Sequence, residues 1–253
     1  MNSRTVAPPE RTQLGNGDRL DAGLVTEIIR AQFAQLVPAR VVYLGEGYDS
    51  AAFEVNDAWV FRFPKRADVE RQLLIEMRIL PVLSERTPVP IPAYRFHGRP
   101  SSEFPRHFAG YTKLPGVPAI QLEFARVPFL QLAPTLARFL SWLHSFPVRE
   151  AARRGVPVQQ MESLIEEVRA KALADFESVN KVAPAAPLER WRAYLKAGLN
   201  RNARPPSTPT LVHNDLAAEH ILFDPATQTV TGIIDWSDIA VSDPAADFAG
   251  VLH

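Results

Sequence analysis

Apolar and polar positions alternate with two periods along this chain, and the changes of period mark its elements. Between residues 21 and 36, Leu24, Val25, Ile28, Ile29 and Phe33 fall at the three-and-four spacing of one helix face, and Pro38 closes the segment. The period then drops to two. Residues 40–44, 51–55 and 59–63 are short β-rich runs separated by Gly45-Glu46-Gly47 and Asn56-Asp57, which predicts a three-strand meander with tight turns. A helix is expected over 67–83, with Val69, Leu73, Met77 and Leu80 as its buried stripe. The run Thr87-Pro88-Val89-Pro90-Ile91-Pro92 is extended, because proline removes the donor and clash-free backbone that a helix needs. Further strands are expected at 94–97 and 107–111.

From Pro118 onward helical spacing dominates, over 134–146, 161–176 and 188–199. On the first of these, Phe139 and Trp142 read as core stripe. The end of the chain turns β again at 210–212, 221–223 and 230–234, with Asp224-Pro225 starting a turn between the last two. A β-rich part therefore precedes an α-rich part, and they join near Leu114-Pro115-Gly116. Segregation of this kind predicts an α+β protein in two lobes rather than an alternating parallel sheet. The expected division is a flexible tail at 1–20, an N-terminal lobe at 21–114 and a C-terminal lobe at 115–253.

Charge and composition narrow the classes of function. The 253 residues carry 28 Lys+Arg and 28 Asp+Glu, a formal net charge of zero, which argues against a nucleic-acid coat or a polybasic membrane binder. With 46% hydrophobic and 22% charged residues the chain can bury a core of domain size. No cysteine occurs, so disulfides, thiolate zinc sites and cysteine nucleophiles are all excluded, and a reducing cytoplasm is the expected compartment. The first 20 residues lack the apolar stretch of a signal peptide, and no later stretch approaches the ~18 uninterrupted apolar residues of a spanning helix. Neither nucleic acid nor membrane is an expected partner.

The chemistry concentrates in Leu211-Val-His-Asn-Asp-Leu-Ala-Ala-Glu-His-Ile-Leu-Phe-Asp224 and in Thr231-Gly-Ile-Ile-Asp-Trp236. Asp215, His220 and Asp235 lie at the edges of short apolar strands, where a hairpin brings distant groups together. Two carboxylates and an imidazole are costly to bury there unless a cation neutralises them, and a divalent metal is the natural candidate.

His213-Asn214-Asp215 with His220 five residues after the aspartate, then Ile234-Asp235-Trp236 and Asp243-Pro244-Ala245-Ala246-Asp247, resembles the aminoglycoside phosphotransferase family. The resemblance extends from about Val41 to the end of the chain. It implies the two-lobed protein-kinase-like fold, ATP or GTP as phosphoryl donor, Mg²⁺, and a small hydroxylated acceptor. It further implies that Asp215 accepts the proton of the acceptor hydroxyl and that Asp235 and His220 contact the metal, His220 standing where other branches carry Asn. His213 is expected to support the loop, and Asp243 and Asp247 to cap or fix it.

In the N-terminal lobe the resemblance implies a nucleotide-covering hairpin over 41–55, with Gly45, Gly47 and Ser50 bringing backbone N–H groups to phosphate. Arg62 takes the place of the phosphate-binding lysine, on the strand face opposite Trp59, Phe61 and Phe63. Its expected partner is Glu76, a carboxylate in the Val69, Leu73, Leu80 register, with Glu70 as the alternative. Tyr111, Thr112, Lys113 and Leu114 are expected to form the connector that presents main chain to the purine.

The implied activity is phosphorylation of a hydroxyl on an aminoglycoside-like or other antibiotic. The alternatives are a kinase of an ordinary metabolite and a catalytically weak nucleotide- or ligand-binding protein, while a zinc hydrolase is disfavoured because no helical His pair is present. Glu162, Glu166, Glu167 and Asp175 are the acidic candidates for a cationic acceptor, diluted by Arg169 and Lys171. Relatives continue beyond the point where this chain stops, after Asp247-Phe-Ala-Gly-Val-Leu-His253. The expectation is therefore a shortened C-terminal lobe with a partly open acceptor side, prone to self-association through exposed apolar surface.

Overall fold

The computed structural model describes residues 12–13, 19–122, 129–159, 171, 193 and 207–249. Strand β1 (Thr12–Gln13) pairs antiparallel with β2 (Arg19–Leu20), and Leu20 is fully buried. The end of the segment read as a flexible tail thus belongs to the folded lobe: one fully apolar side chain at its last position is enough to anchor it. Helix α1 (Ala22–Gln32) follows, its first turn capped by Asp21, whose Oδ1 accepts the Leu24 N–H at 2.9 Å.

Strands β3 (Val41–Glu46), β4 (Ser50–Val55) and β5 (Trp59–Pro64) form the expected meander. Asn56 and Asp57 make the β4–β5 turn with φ of 54° and 58°, the left-handed pair that a tight hairpin requires. Helix α2 (Ala67–Ser84), β6 (Tyr94–Gly98) and β7 (Phe108–Thr112) complete the lobe. The five longer strands form one antiparallel sheet in the order β3-β4-β5-β7-β6.

Side-chain alternation divides this sheet between two cores. On one face Phe53, Phe61, Phe63, Phe96 and Phe108 pack with Phe33 and with Val25, Ile28 and Ile29 of α1. Phe63 and Phe108 stack at 4.5 Å, and Gly110 is bare because a Cβ there would lie 2.5 Å from the Phe61 ring. On the other face Val60, Tyr94, Ala109 and Tyr111 join Leu73, Ile79, Leu80 and Leu83 of α2 in the second core. The buried stripe of α2 runs through Glu76 and Ile79, with Met77 only partly covered.

The second core continues into the C-terminal lobe. Strand β8 (Val117–Pro118) lies beside the hairpin of β10 (Ile221–Asp224) and β11 (Thr229–Ile233), while β9 (Thr210–Val212) pairs with β12 (Ala240–Ser242). Helix α3 (Phe129–His144) contributes Leu136, Phe139, Leu140 and Leu143, with Trp142 packed at the margin. It begins upstream of Pro134, which lies inside the helix rather than at its start. Helix α4 (Val148–Arg153) and the single turn α5 (Ala246–Ala249) are short. The predicted helices at 161–176 and 188–199, and with them Glu162, Glu166, Glu167, Arg169 and Asp175, lie outside the described residues, apart from Lys171 and Ala193, both helical.

The lobes are joined at Leu114-Pro115-Gly116. Gly116 has φ +98°, and a Cβ there would meet the Thr231 Oγ1 at 2.4 Å and the Phe223 carbonyl at 2.8 Å, so the connector is pressed onto the β10–β11 hairpin. Thr231 Oγ1 donates to the Pro115 carbonyl at 2.6 Å across the same contact. Among the described residues no helix is long and apolar enough to cross a membrane.

Candidate active site

The loop after β9 is held from beneath by groups that are themselves fully buried. His213 Nε2 donates to the Ile234 carbonyl at 3.1 Å and Nδ1 accepts the Asp215 N–H at 3.3 Å, which fixes the tautomer. Burial holds the His213 pKa below the usual imidazole value, so the ring is neutral and can accept at Nδ1. It lies 4.6 Å from the ring of Trp236, whose indole N–H goes to the Ile233 carbonyl. Asn214, at φ 70°, donates its N–H to Asp247 Oδ1 at 2.7 Å, and Asp247 Oδ2 accepts from His144 Nε2 at 2.9 Å. The aspartate of the Asp243-to-Asp247 motif is thus a clamp on the loop, while Asp243 caps the Ala245 N–H at 2.8 Å.

This clamped loop carries Asp215 into the cleft with its side chain 48% exposed. The bond from His220 Nδ1 to the Asp215 carbonyl, 2.7 Å, has Nδ1–H as donor and turns Nε2 away from the loop. Nε2 faces Asp235 Oδ2 at 3.7 Å. Asp235 takes φ 60° just beyond β11, and its other oxygen accepts from Arg62 Nη2 at 2.9 Å and Ser237 Oγ at 3.1 Å. Burial works against the Asp235 charge, but Arg62 and then His220 outweigh it and hold the carboxyl below its usual pKa.

Arg62 reaches this point from the middle of β5, opposite Ala52 and Ala109, whose small side chains leave room for it. Its Nη1 donates to Glu76 Oε2 at 2.9 Å and Oε1 at 3.2 Å, and Tyr94 Oη donates to Glu76 Oε2 at 2.8 Å. Burial opposes the Arg62 charge, yet Glu76, Tyr94 and Asp235 together keep the guanidinium well above its ordinary pKa. The Glu76 carboxyl, 1% exposed, is pushed up to about 7 because lost hydration exceeds the attraction of Arg62. Glu70, the alternative partner, is engaged elsewhere, accepting the His107 N–H at 2.8 Å.

The remaining expected nucleotide contacts are distributed as follows. Gly45 and Gly47 have open space where a Cβ would project, and the Gly47 N–H is turned inward to the Ser50 carbonyl at 3.0 Å. Tyr111 and Thr112 lie inside β7, and the Lys113 N–H is given to the Ala58 carbonyl at 2.8 Å, so sheet register commits these residues and the connector proper starts at Leu114. Lys113 Nζ pairs with Glu54 on β4. On β3, Val42 and Leu44 are 43% and 47% exposed, an apolar shelf beside this row that suits a flat ring. Tyr94, Ser237, Val42 and Leu44 were not singled out from the sequence, since nothing in their local pattern separates a site residue from an ordinary strand or loop residue.

Among the described residues no group of three or more His, Asp or Glu is arranged to hold an ion alone. Asp235 Oδ2 and His220 Nε2 would offer Mg²⁺ one carboxylate oxygen and one imidazole nitrogen, the oxygen being the donor this hard cation prefers, with phosphate oxygens and waters completing the shell. A recess of about 110 Å³ between Gln72, Gln159 and Asp238 is too small for a nucleotide and adjoins this centre through Ser237 and Asp238.

The sequence profile of the phosphotransferase enzyme family matches residues 40–253. The uncharacterised protein YcbJ of Bacillus subtilis (strain 168) is 28% identical over 243 residues, 89% of this chain and 74% of that one. An aminoglycoside 3'-phosphotransferase of Streptomyces fradiae is 26% identical over 140 residues, 54% of this chain and 48% of its own. Among solved structures, the GDP and kanamycin complex of APH(2")-IIia superposes with a TM-score of 0.78 at 31% identity, covering 90% of this chain and 77% of that one. A profile match across most of the chain, a shared two-lobed fold and the ordered motifs lead to one assignment: the chain belongs to the aminoglycoside phosphotransferase family of phosphotransferase enzymes.

Proposed function

We propose that the protein transfers the terminal phosphoryl group of ATP or GTP to a hydroxyl of a small molecule of the aminoglycoside or related antibiotic class. The observation that carries this reading is the convergence of Arg62 from β5 with His220 and Asp235, from the loops entering and leaving the β10–β11 hairpin, beside the half-exposed Asp215 carboxylate. Residues 21–114 hold the nucleotide and residues 115–253 the acceptor and the catalytic loop. Asp215 orients the acceptor hydroxyl and takes its proton as the oxygen bonds to the γ-phosphorus and the bridging β–γ oxygen leaves with the diphosphate. Gly45, Ser50 and Arg62 face the phosphates, Val42 and Leu44 the base, and Leu114 the purine edge, while the Gly47 N–H stays committed to the turn.

Asp235 and His220 are the residues that would hold Mg²⁺, which when bound neutralises charge spread over the phosphate oxygens. The aminoglycoside class is favoured by the kanamycin complex of a relative at 31% identity. A panel of hydroxylated antibiotics and metabolites, each assayed for ADP release from ATP and GDP release from GTP, tests the reading. Acceptor-dependent release with an antibiotic supports it; release only with an ordinary metabolite moves the protein to that class. The Arg62–Asp235 contact favours one second reading, a nucleotide-binding protein with slow transfer, because Arg62 must share or surrender its Nη2–H when phosphate enters. Nucleotide binding without acceptor-dependent release throughout the panel would select it.

A further inference from the structure

The hairpin turn assigned to the phosphates carries two carboxylates of its own. Glu46 and Asp49 flank Gly47 and Tyr48 between β3 and β4. A turn lying over a polyphosphate gains from bare backbone N–H groups and loses from negative side chains, since like charges within several ångströms repel even at a high effective dielectric. In this chain each carboxylate is met by a cation from the end of β5. Lys65 Nζ lies 2.8 Å from Glu46 Oε2 and also donates to the Gly47 carbonyl at 2.8 Å. Arg66 Nη2 donates to Asp49 Oδ1 at 2.7 Å, Nη1 donates to the Tyr48 carbonyl at 3.1 Å, and the guanidinium covers the Tyr48 ring at 4.6 Å.

Backbone geometry delivers the two cations to this place. Ser50 pairs with Pro64 in the β4–β5 ladder, so the next two residues run alongside the turn, and the Lys65 N–H donates to the Asp49 carbonyl at 2.9 Å. Asp68, at the start of α2, shares Arg66 at 3.2 Å and ties the same cluster to the helix that bears Glu76. The charges of Glu46, Asp49, Lys65 and Arg66 cancel, and three carbonyls of the turn are held by Lys65 and Arg66 rather than turned toward the cleft.

We infer that Lys65 and Arg66 are positioning residues for the phosphoryl donor: they hold the 45–50 turn over the cleft and cancel Glu46 and Asp49 so that a polyphosphate can lie beneath it. The inference rests on the nucleotide reading given above. Neither residue enters the proton transfer or the metal contact, so the effect falls on donor affinity rather than turnover.

The experiment measures the Kd of fluorescent ATP and GTP analogues, together with donor KM and kcat, for the full chain and for Lys65→Ala, Arg66→Ala, Lys65→Arg, Arg66→Lys and the double variant Lys65→Ala/Arg66→Ala with and without Glu46→Gln/Asp49→Asn. Each alanine variant is expected to weaken donor binding about tenfold with kcat within about threefold, and the conservative variants to stay within about threefold of the parent. Neutralising Glu46 and Asp49 in the double alanine background is expected to recover at least about half of the loss on a logarithmic scale, because unopposed carboxylates cause it. Alanine variants that bind the donor like the parent, or a loss that neutralising the carboxylates leaves untouched, overturn the inference while the nucleotide reading stands. A parent chain that binds neither analogue overturns both.

Discussion

Replacing Asp247 by alanine should damage both the fold and the turnover, and the structure sets the size of each effect. Its carboxylate is fully buried and receives two donors, the Asn214 N–H at 2.7 Å and His144 Nε2 at 2.9 Å. A hydrogen bond to a charged acceptor is worth about 1.5–3 kcal/mol, so losing both bounds the cost at roughly 3–6 kcal/mol. The His144 side chain is 17% exposed, and water reaching its ring recovers part of this, which leaves about 3–4 kcal/mol. For a chain of this length that corresponds to a fall in Tm of roughly 6–16 °C. The kinetic effect follows from Asn214, whose positive φ is retained only while surrounding contacts enforce it. Releasing it moves Asp215 next door, and a misplacement of about 1 Å costs on the order of 10² in kcat. Asp247→Asn is the control. Its amide oxygen still accepts from Asn214, and its NH₂ can donate to His144 Nε2 when that nitrogen bears no hydrogen, so about 1 kcal/mol and about threefold in kcat are expected. Thermal unfolding followed by circular dichroism, with initial rates at saturating nucleotide, measures both. An Asp247→Ala protein that melts within about 2 °C of the parent and turns over equally well would refute the clamp; an asparagine variant as damaged as the alanine one would show that charge, not hydrogen-bond geometry, holds the loop.

Three further outcomes are expected. Asp215→Asn should keep the melting temperature and nucleotide affinity, since the side chain is half exposed, yet lose ~10²–10⁴ of the acceptor-dependent rate; unchanged diphosphate release would remove Asp215 from the proton transfer. Asp235→Ala should abolish the tightening of nucleotide binding by Mg²⁺, so that titrations with Mg²⁺ and with EDTA coincide; a gap as wide as in the parent speaks against the metal assignment. His220→Asn should keep activity within about tenfold, because an amide N–H can donate to the Asp215 carbonyl while its oxygen faces the metal position; a folded but inactive variant would show that the reach of the imidazole is required.

Local chemistry made much of this protein legible before any coordinates. The β3–β4–β5 meander follows from period-two alternation and from Asn56-Asp57, residues that tolerate the positive φ found there. The same alternation separated Arg62 from the phenylalanine face of β5, and the ordered motifs around Asp215, His220 and Asp235 named the family. Helical register also placed Glu76 in the apolar stripe of α2, but it left Glu70 open as the partner of Arg62, because both carboxylates fit the sequence. Tertiary structure closed that choice by giving Glu70 to His107, just before β7, and Glu76 to Arg62 and Tyr94.

What the sequence did not reveal is long-range pairing. Arg62 and Asp235 stand 173 residues apart, and His144 and Asp247 stand 103 apart, so no local period relates them; the first pair exists because two lobes share one core, the second because α3 packs beside the loop after β9 within one lobe. Leu20 read as the end of a polar tail because one apolar residue makes no pattern, yet the space beside α1 and the sheet buries it completely. Backbone commitments are decided in the same way: whether the Lys113 N–H faces a purine or the Ala58 carbonyl depends on how far β7 stays in register with β5, which is fixed by packing across the sheet and not by the residue itself.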